Sequence, residues 1–307
     1  MASIAIAAAS APPRWWKARR QLPALLALAP AAVIVVVAYL GCMLWTVRLS
    51  FSSSKLLPAM DWVGLQQYWR LFANDRFTVS AINIATYGVL YLVGTLAAGF
   101  LLAVFIDQHV RGESVFRTIF LYPYAMSLVV TGLVWQWFLN PELGLQKLVR
   151  DIGLESFTFD WIVNQKMVIY ALVIAGIWQA SGLVMAIMLA GLRGVDADLW
   201  KAARVDGIPT WRVYLSIVLP LLGPMIVTAT VLLSVQVARL YDLVVAMTRG
   251  GPGISSEVPA KFVMDHLFER NNIGLATAAA SMMLLTVIVV IAPFIYARYV
   301  RQPRRRG

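Results

Sequence analysis

Amide, hydroxyl and aromatic side chains interrupt several long apolar runs of this 307-residue chain. If these runs cross a membrane, each polar group must face protein or water, because it is costly in hydrocarbon. Aromatic faces combined with neutral hydrogen-bonding groups suit a hydroxylated ring such as a sugar. As a set they favour a polar path, although any single member is also explained by a hydrogen bond between helices. The set comprises Asn83, Tyr87, Tyr122, Gln136, Gln179, Ser181, Gln236, Tyr241, Trp135, Trp137 and Trp178.

Signatures of enzymatic chemistry are absent from the sequence. No phosphate-binding Gly-x-x-x-x-Gly-Lys-Ser/Thr loop occurs, and "RGGPGISSE" lacks the lysine. His109 and His266 are far apart and Cys42 is the single cysteine, which argues against a metal site or a disulfide framework. Arg239 and Asp242 are spaced i,i+3, and we expect a local salt bridge between them rather than a substrate contact.

The elements that position these groups are predicted to be membrane-spanning helices. Hydrophobic residues make up 60% of the chain and charged residues 13%, too few to cover a water-soluble surface. Six windows are long enough to cross about 30 Å of hydrocarbon at about 1.5 Å per residue. The fifth is too long for one straight span. The windows are Leu22–Val47, Ala81–Ile106, Thr118–Leu139, Met167–Gly191, Ser216–Met247 and Ile273–Ala297.

The distribution of Lys and Arg predicts the orientation. The segments that lie inside when the N-terminus is inside are the more basic ones, so both termini are expected in the cytoplasm. The formal net charge of +11 is then mainly a topology signal, with a basic tail that attracts anionic lipid; nucleic-acid binding is disfavoured. The first apolar stretch runs beyond the length of a signal peptide, so we expect an uncleaved span.

The expected domain organisation is a single transmembrane unit with short ends. Residues 1–21 form a cytoplasmic tail, residues 22–297 the transmembrane domain, and residues 298–307 a basic cytoplasmic tail. The outer loop after the third window contains Leu145, Leu148, Val149 and Ile152 at helical spacing, which predicts a short amphipathic helix.

A cytoplasmic loop at residues 192–215 is predicted to hold a short helix. Asp196 or Asp198 can cap its N-terminus, Gly207 suits a left-handed stop, and Pro209 favours a fresh start. An ordinary connecting loop is the alternative, but such a loop rarely needs a helix, a stop and a restart.

Two further features of this region concern contact and motion. Ala202 and Ala203 are small, which would let another surface approach the helix closely. Pro220 and Pro224 are expected to bend the entry of the fifth span and to make a broken helix that can carry motion.

The motifs in this region resemble a known family. "KAARVDGI" followed by "LPLLGP" is similar to the Glu-Ala-Ala-x-x-Asp-Gly-Ala loop of permease subunits of ATP-binding-cassette (ABC) importers. "WVGLQQYWRLFANDRF", "FRTIFLYPYAMSLVVTGLVWQWFLNPELG" and "MTRGGPG" resemble the maltose-type carbohydrate importers. The resemblance covers roughly residues 20–300. It departs at Lys201, where the family usually has glutamate.

The resemblance implies an all-α membrane protein with six transmembrane helices and the type I ABC importer permease fold, located in the bacterial inner membrane. The implied partners are a second homologous permease, a dimer of ABC ATPase subunits and an extracytoplasmic sugar-binding protein. ATP and magnesium would bind in the ATPase, with no cofactor in this chain. The implied coupling residues are Lys201, Ala202, Ala203, Asp206 and Gly207.

The resemblance also places the substrate path in the spans that flank this loop. Gln179 and Gln236 carry the only hydrogen-bonding side chains at the matching positions, and Trp178 is their possible neighbour. The substrate is expected to be a monosaccharide such as glucose or mannose, or a short oligosaccharide, with polyols and glycerol phosphates left open. A secondary transporter or channel, or a membrane-embedded sensor, is the alternative. The remaining matching positions are Gly176, Ala180, Leu183, Leu233, Val237 and Leu240.

Overall fold

The structure, a computed structural model, describes residues 27–59, 61–108 and 110–299. The expected tail at residues 1–21, residues 300–307 of the basic tail and His109 lie outside the described residues. The described part is helical, without strands. Its helices are α1 (Ala27–Leu49), α2 (Gln66–Phe72), α3 (Asp75–Asp107), α4 (Glu113–Ala125), α5 (Leu128–Phe138), α6 (Leu145–Asp151), α7 (Val168–Leu192), α8 (Ala197–Val205), α9 (Thr210–Leu221), α10 (Gly223–Ala238), α11 (Asp242–Met247), α12 (Pro259–Met264), which continues as a π-helix over Asp265–Glu269, and α13 (Ile273–Tyr299).

Four of these helices are long and apolar enough to cross a membrane, and the number rises to six if two bent pairs each count as one span. The four are α1, α3, α7 and α13, and the pairs are α4 with α5 and α9 with α10. The all-α membrane architecture predicted from the sequence is therefore confirmed for the described residues.

The third apolar window is not one continuous helix, contrary to the expectation. α4 and α5 meet at an angle of 100°. Met126 at the bend is extended, and the Ser127 side chain caps α5 by accepting from the Val129 amide at 3.2 Å. A cap of this kind begins a new helix rather than continuing the old one, so the bend follows from local chemistry.

The fifth window is also bent, by 72° between α9 and α10. Pro224 has no amide hydrogen to offer the carbonyl of Pro220 one turn earlier, and its ring crowds that carbonyl. The two prolines therefore flank the bend, as expected. The window differs from the expectation at both ends, because α9 begins at Thr210 and α10 ends at Ala238.

α7 lies at the centre of the bundle and packs most extensively on α3. Glycines allow this close packing because an added Cβ would strike a neighbouring helix. A Cβ on Gly99 would lie 2.5 Å from Val184, one on Gly191 would lie 2.6 Å from Leu222, and one on Gly182 would strike the carbonyl of Phe120. α7 thus packs closely against α3, α4 and the bend of the fifth window, because a glycine lies at each point of close approach.

α1 lies on the outside of the bundle. None of its most apolar window is buried, and its contacts within the chain include α13. Its apolar side chains, such as Leu40 and Leu44, are exposed. This surface is suited to hydrocarbon and not to water.

Candidate translocation path and coupling site

The candidate path is built where α3, α7 and α10 meet. Gly176 of α7 lies against two tyrosines of α3, so that a Cβ there would strike the hydroxyl of Tyr87 and come within 3.1 Å of the Tyr91 ring. The two tyrosine rings are stacked at 5.2 Å. Gly176 therefore serves the contact between α3 and α7, and its predicted place on the wall of a path gains no support from this geometry.

Gln236 of α10 is half-buried and hydrogen-bonded to one of these two tyrosines, Tyr91. The hydroxyl of Tyr91 donates to Oε1 of Gln236 at 2.8 Å. Tyr91 was not among the polar residues singled out from the sequence. The signal was present, because Asn83, Tyr87 and Tyr91 recur at four-residue spacing on one face of α3.

Gln179 of α7 is buried, with 5% of its surface exposed. Its amide has no hydrogen-bond partner among the described residues, and no hydrogen bond of that part of the chain joins it to Gln236. The oxygen and nitrogen of this amide are not fully buried, so water or a ligand can reach them. Trp178 points about 100° away around the helix and contacts Trp135 edge to face at 5.9 Å.

The apolar positions predicted for the path divide into two groups. Leu183 and Val237 are half-buried, and Val237 lies 3.2 Å from the position of a Cβ on Gly88 of α3. Leu240 is buried in the core of the subunit. Leu240 therefore faces its own chain, contrary to the expectation that it lines a path.

Some of the other intramembrane polar groups are satisfied locally. The Asn83 amide donates to the carbonyls of Ser255 and Glu257, at 2.8 and 2.9 Å. It holds the loop before α12 rather than a ligand. The expected salt bridge between Arg239 and Asp242 is wrong: α10 ends before Arg239, α11 begins at Asp242, and no ion pair joins the two in the described structure.

The helix predicted in the cytoplasmic loop is α8, and its caps are as expected. The Asp196 side chain accepts from the amide of Asp198 at 2.9 Å. Gly207 adopts a left-handed φ of 67°, and the Ile208 amide returns to the carbonyl of Ala203 at 3.0 Å. Since both ends are closed by the chain itself, α8 is a short preformed element.

One side of α8 is fixed to the bundle. Trp200 contacts Tyr214 of α9 edge to face at 5.1 Å. The Tyr214 hydroxyl donates to Asp107 at 3.1 Å and accepts from Gln108 at 2.8 Å, at the end of α3. Ala203 is 4% exposed, so it packs on its own chain and is not open to another surface, contrary to the expectation.

The opposite side of α8 is open. Val205 is 87% exposed, and Lys201, Ala202, Asp206 and Gly207 are also exposed. Lys201 pairs with Asp198 one turn earlier at 2.8 Å. The lysine that replaces the family glutamate therefore has an acidic partner on its own helix. At this exposure the pair adds less than about 1 kcal/mol to stability.

A buried charge cluster lies at the other end of α3. Arg76 is ion-paired with Glu257 at 3.0 Å and with Asp265, and Lys261 reaches Asp265 at 2.6 Å. The cluster joins α3 to the segment around α12. It was not expected from the sequence, since the hydrogen-bonded residues Arg76 and Glu257 are 181 positions apart.

Burial and pairing act in opposite directions on the acids of this cluster. Burial raises the pKa of Glu257, although Arg76 and Lys261 partly offset it. Burial would also raise the pKa of Asp265, but hydrogen bonds from Lys261 and Arg76 outweigh it and hold this pKa below its usual value. Burial lowers the pKa of His266, whose Nδ1 lies 2.9 Å from the carbonyl of Phe262.

No group of three metal-ligating side chains occurs in the described part of the chain. An apolar helical bundle with buried polar groups and a capped polar helix at one end is the architecture of a multi-pass membrane protein.

The chain belongs to the family of binding-protein-dependent transport system inner membrane components, which matches residues 91–306. Members are permease subunits of ABC transporters and are not themselves enzymes, because a separate ATPase hydrolyses ATP.

The relatives of this chain include proteins with several named substrates. It is 35% identical to a probable ABC transporter permease protein of Pyrococcus horikoshii, over 91% of this chain and 97% of the relative. It is 31% identical to the xylose/arabinose import permease protein of Haloferax volcanii, over 87% and 85%. It is 28% identical to the glucose import system permease protein of Saccharolobus solfataricus, over 90% and 97%.

The fold is also similar to that of a solved structure. A subunit of a bacterial alginate ABC transporter, in complex with an alginate pentasaccharide-bound periplasmic protein, matches with a TM-score of 0.80. The match covers 94% of this chain and 98% of that chain, at 19% sequence identity. The type I importer permease architecture expected from the sequence is thereby supported.

Proposed function

We propose that this chain is one transmembrane subunit of an ATP-driven sugar importer in the bacterial inner membrane. It forms half of the translocation path beside a second, homologous permease. A dimer of ABC ATPase subunits docks on the loop at residues 195–212, and an extracytoplasmic binding protein delivers the sugar. ATP and magnesium bind in the ATPase, and the apolar surface of α1 contacts membrane lipid.

The observation that carries this proposal is the construction of α8. The helix is capped by Asp196 and Gly207 and held on the bundle by Trp200, while its other side is exposed. A rigid element of this kind transmits a push from a partner to the spans, whereas a flexible loop would dissipate it. The proposed docking residues are Lys201, Ala202, Asp206 and Gly207, with Ala203 fixing the helix from beneath.

The bend between α9 and α10 is proposed to receive that push. α9 follows α8 directly and contacts it through Tyr214. Pro220 and Pro224 interrupt the backbone hydrogen bonds at the bend, so α10 can change its angle without unfolding. α10 carries Gln236, which places the proposed hinge between the ATPase site and the path.

The proposed substrate is a monosaccharide such as glucose or mannose, or a short oligosaccharide. Gln179 has an amide without a hydrogen-bond partner among the described residues, Gln236 is half-buried, and Trp178 is 38% exposed. Neutral amides and aromatic surfaces match sugar hydroxyls and ring faces. Two of the relatives above are named as xylose/arabinose and glucose import permeases. Their names support a sugar as the substrate class, but they do not agree on one sugar.

The test is transport by the complete complex. The chain, its partner permease, the ATPase and the binding protein are reconstituted in proteoliposomes. Uptake of radiolabelled glucose, mannose, xylose, arabinose and maltose is measured with and without ATP. We expect uptake of at least one sugar that requires both ATP and the binding protein. Uptake driven by an ion gradient without the ATPase would favour the alternative, a secondary transporter or channel.

A further inference from the structure

One face of α3 carries polar side chains at regular four-residue spacing. Asn83, Tyr87, Tyr91 and Thr95 are all buried, although the helix is one of the most apolar in the chain. Residues four apart lie above one another on one side of a helix, so the four form a single polar stripe. This stripe faces α7, through Gly176, and α10, through Gln236.

Within the stripe, Tyr91 is held on three sides. Its ring stacks on Tyr87 at 5.2 Å and lies against Gly176, and only 2% of its surface is exposed. Its hydroxyl is therefore fixed in position before any ligand arrives. That fixed hydroxyl donates to Oε1 of Gln236 at 2.8 Å.

This hydrogen bond determines what Gln236 presents. The amide is planar, so holding Oε1 also fixes the direction of Nε2. The Nε2 group has no hydrogen-bond partner in the described structure. Gln236 is half-buried, so its two N–H groups remain available to a ligand. The group offered is a donor, and its complement is an acceptor oxygen.

We propose that Tyr91 is the positioning residue that orients Gln236, so that its N–H groups bind ligands rich in acceptor oxygens, such as sugar hydroxyls and ring oxygens. This inference rests on the proposed function. Without the Tyr91 hydroxyl, the amide of Gln236 can rotate. In a fraction of the molecules its N–H groups then no longer point towards the ligand. Tyr91 need not touch the ligand itself.

The test is a double-mutant cycle in the reconstituted complex. Tyr91→Phe removes the hydroxyl and keeps the stacked ring, and it is made with and without Gln236→Ala. The readout is the number of labelled glucose molecules imported per ATP hydrolysed, at saturating binding protein. If glucose is not carried, the sugar selected in the uptake panel is used. Tyr87→Phe is the matched control, since the Tyr87 hydroxyl donates to no described residue.

A positioning role predicts that Tyr91→Phe lowers this ratio about threefold to tenfold in the unsubstituted background, the range for loss of one neutral hydrogen bond. In the Gln236→Ala background it should lower the ratio less than about 1.5-fold. Tyr87→Phe should have the same effect in both backgrounds. Assembly is checked by gel filtration, so that the ratio refers to intact complex.

Two results would overturn the inference alone. One is an equal effect of Tyr91→Phe in both backgrounds, which would mean that the hydroxyl acts independently of Gln236. The other is no change in the ratio. If the unsubstituted complex imports no sugar with ATP, the proposed function is wrong, and so is this inference, which rests on it.

Discussion

Gly207 is the position at which one substitution tests the coupling loop most cleanly. Its φ of 67° lies in the left-handed region, and a Cβ placed there would meet nothing within 4 Å. Any damage from a side chain therefore comes from backbone strain and not from a clash with a neighbour. The left-handed conformation costs an ordinary residue about 1 to 2 kcal/mol, and a β-branched residue is more strongly disfavoured.

For Gly207→Val we take about 2 kcal/mol. This corresponds to a disadvantage of about thirtyfold for the closed turn relative to glycine. The turn holds the Ile208 amide on the carbonyl of Ala203 at 3.0 Å, so losing it frees the C-terminal end of α8. We expect ATP-dependent uptake to fall at least tenfold, because an α8 with a loose end transmits less of the ATPase motion.

The assay compares three variants in the reconstituted complex. Gly207→Asn is the rescue variant, since asparagine tolerates the left-handed region, and it should retain most uptake. Gly153→Val is the matched control, with a φ of 107° and open space around it, in the loop after α6. Wild-type uptake in Gly207→Val would refute the reasoning. An equal loss in Gly153→Val would also refute it, because the effect would then be general destabilisation.

Two further outcomes follow from the path and from the buried charge cluster. Gln179→Ala combined with Gln236→Ala should abolish most of the stimulation of ATPase activity by sugar-loaded binding protein; unchanged stimulation would remove both amides from the path. Asp265→Asn should lower the melting temperature at pH 7, because Lys261 loses its ion-pair partner and Arg76 keeps only Glu257. Since the pKa of Asp265 is lowered, its stabilisation is present above the usual aspartate value of about 4 and is lost as the pH falls through the lowered value. The melting-temperature difference between wild type and Asp265→Asn should therefore shrink in acid, and a constant difference would contradict the ion-pair account. The raised pKa of Glu257 makes stability depend on pH in the opposite direction. Both proteins contain Glu257, so this contribution is common to them.

The apolar windows and the caps of α8 could be predicted because they depend on neighbouring residues. Hydropathy over a window of this length reports the cost of contact with water, and capping requires particular side chains within one turn. Asp196 and Gly207 were identified in this way.

The bends could not be assigned fully, because hydropathy carries no information about direction. The chain bends by 100° near Met126, but the hydropathy of the third window would be the same if the helix were straight. Helical periodicity also did not reveal which side of α8 faces the bundle. Ala203 is therefore expected on an open surface, although it is buried in the core of the subunit.

The contacts that build the candidate path and the buried charge cluster link distant parts of the chain. Tyr91 and Gln236 are 145 positions apart, and Arg76 and Asp265 are 189 apart. No local rule connects such pairs. Polar residues in apolar runs indicated that partners must exist, but only the packed structure identifies them.

Photo-crosslinking from α8 tests most directly whether this helix is the ATPase docking site. The photoreactive residue p-benzoylphenylalanine is placed at Val205, which is 87% exposed, and, in a separate protein, at Val163, which is 57% exposed. After illumination of the complete complex in membranes, the captured partner is identified by mass spectrometry. The account predicts capture of the ATPase subunit from position 205 and not from position 163. Capture of the ATPase from position 163, or no capture of the ATPase from position 205 in an assembled and active complex, would contradict it.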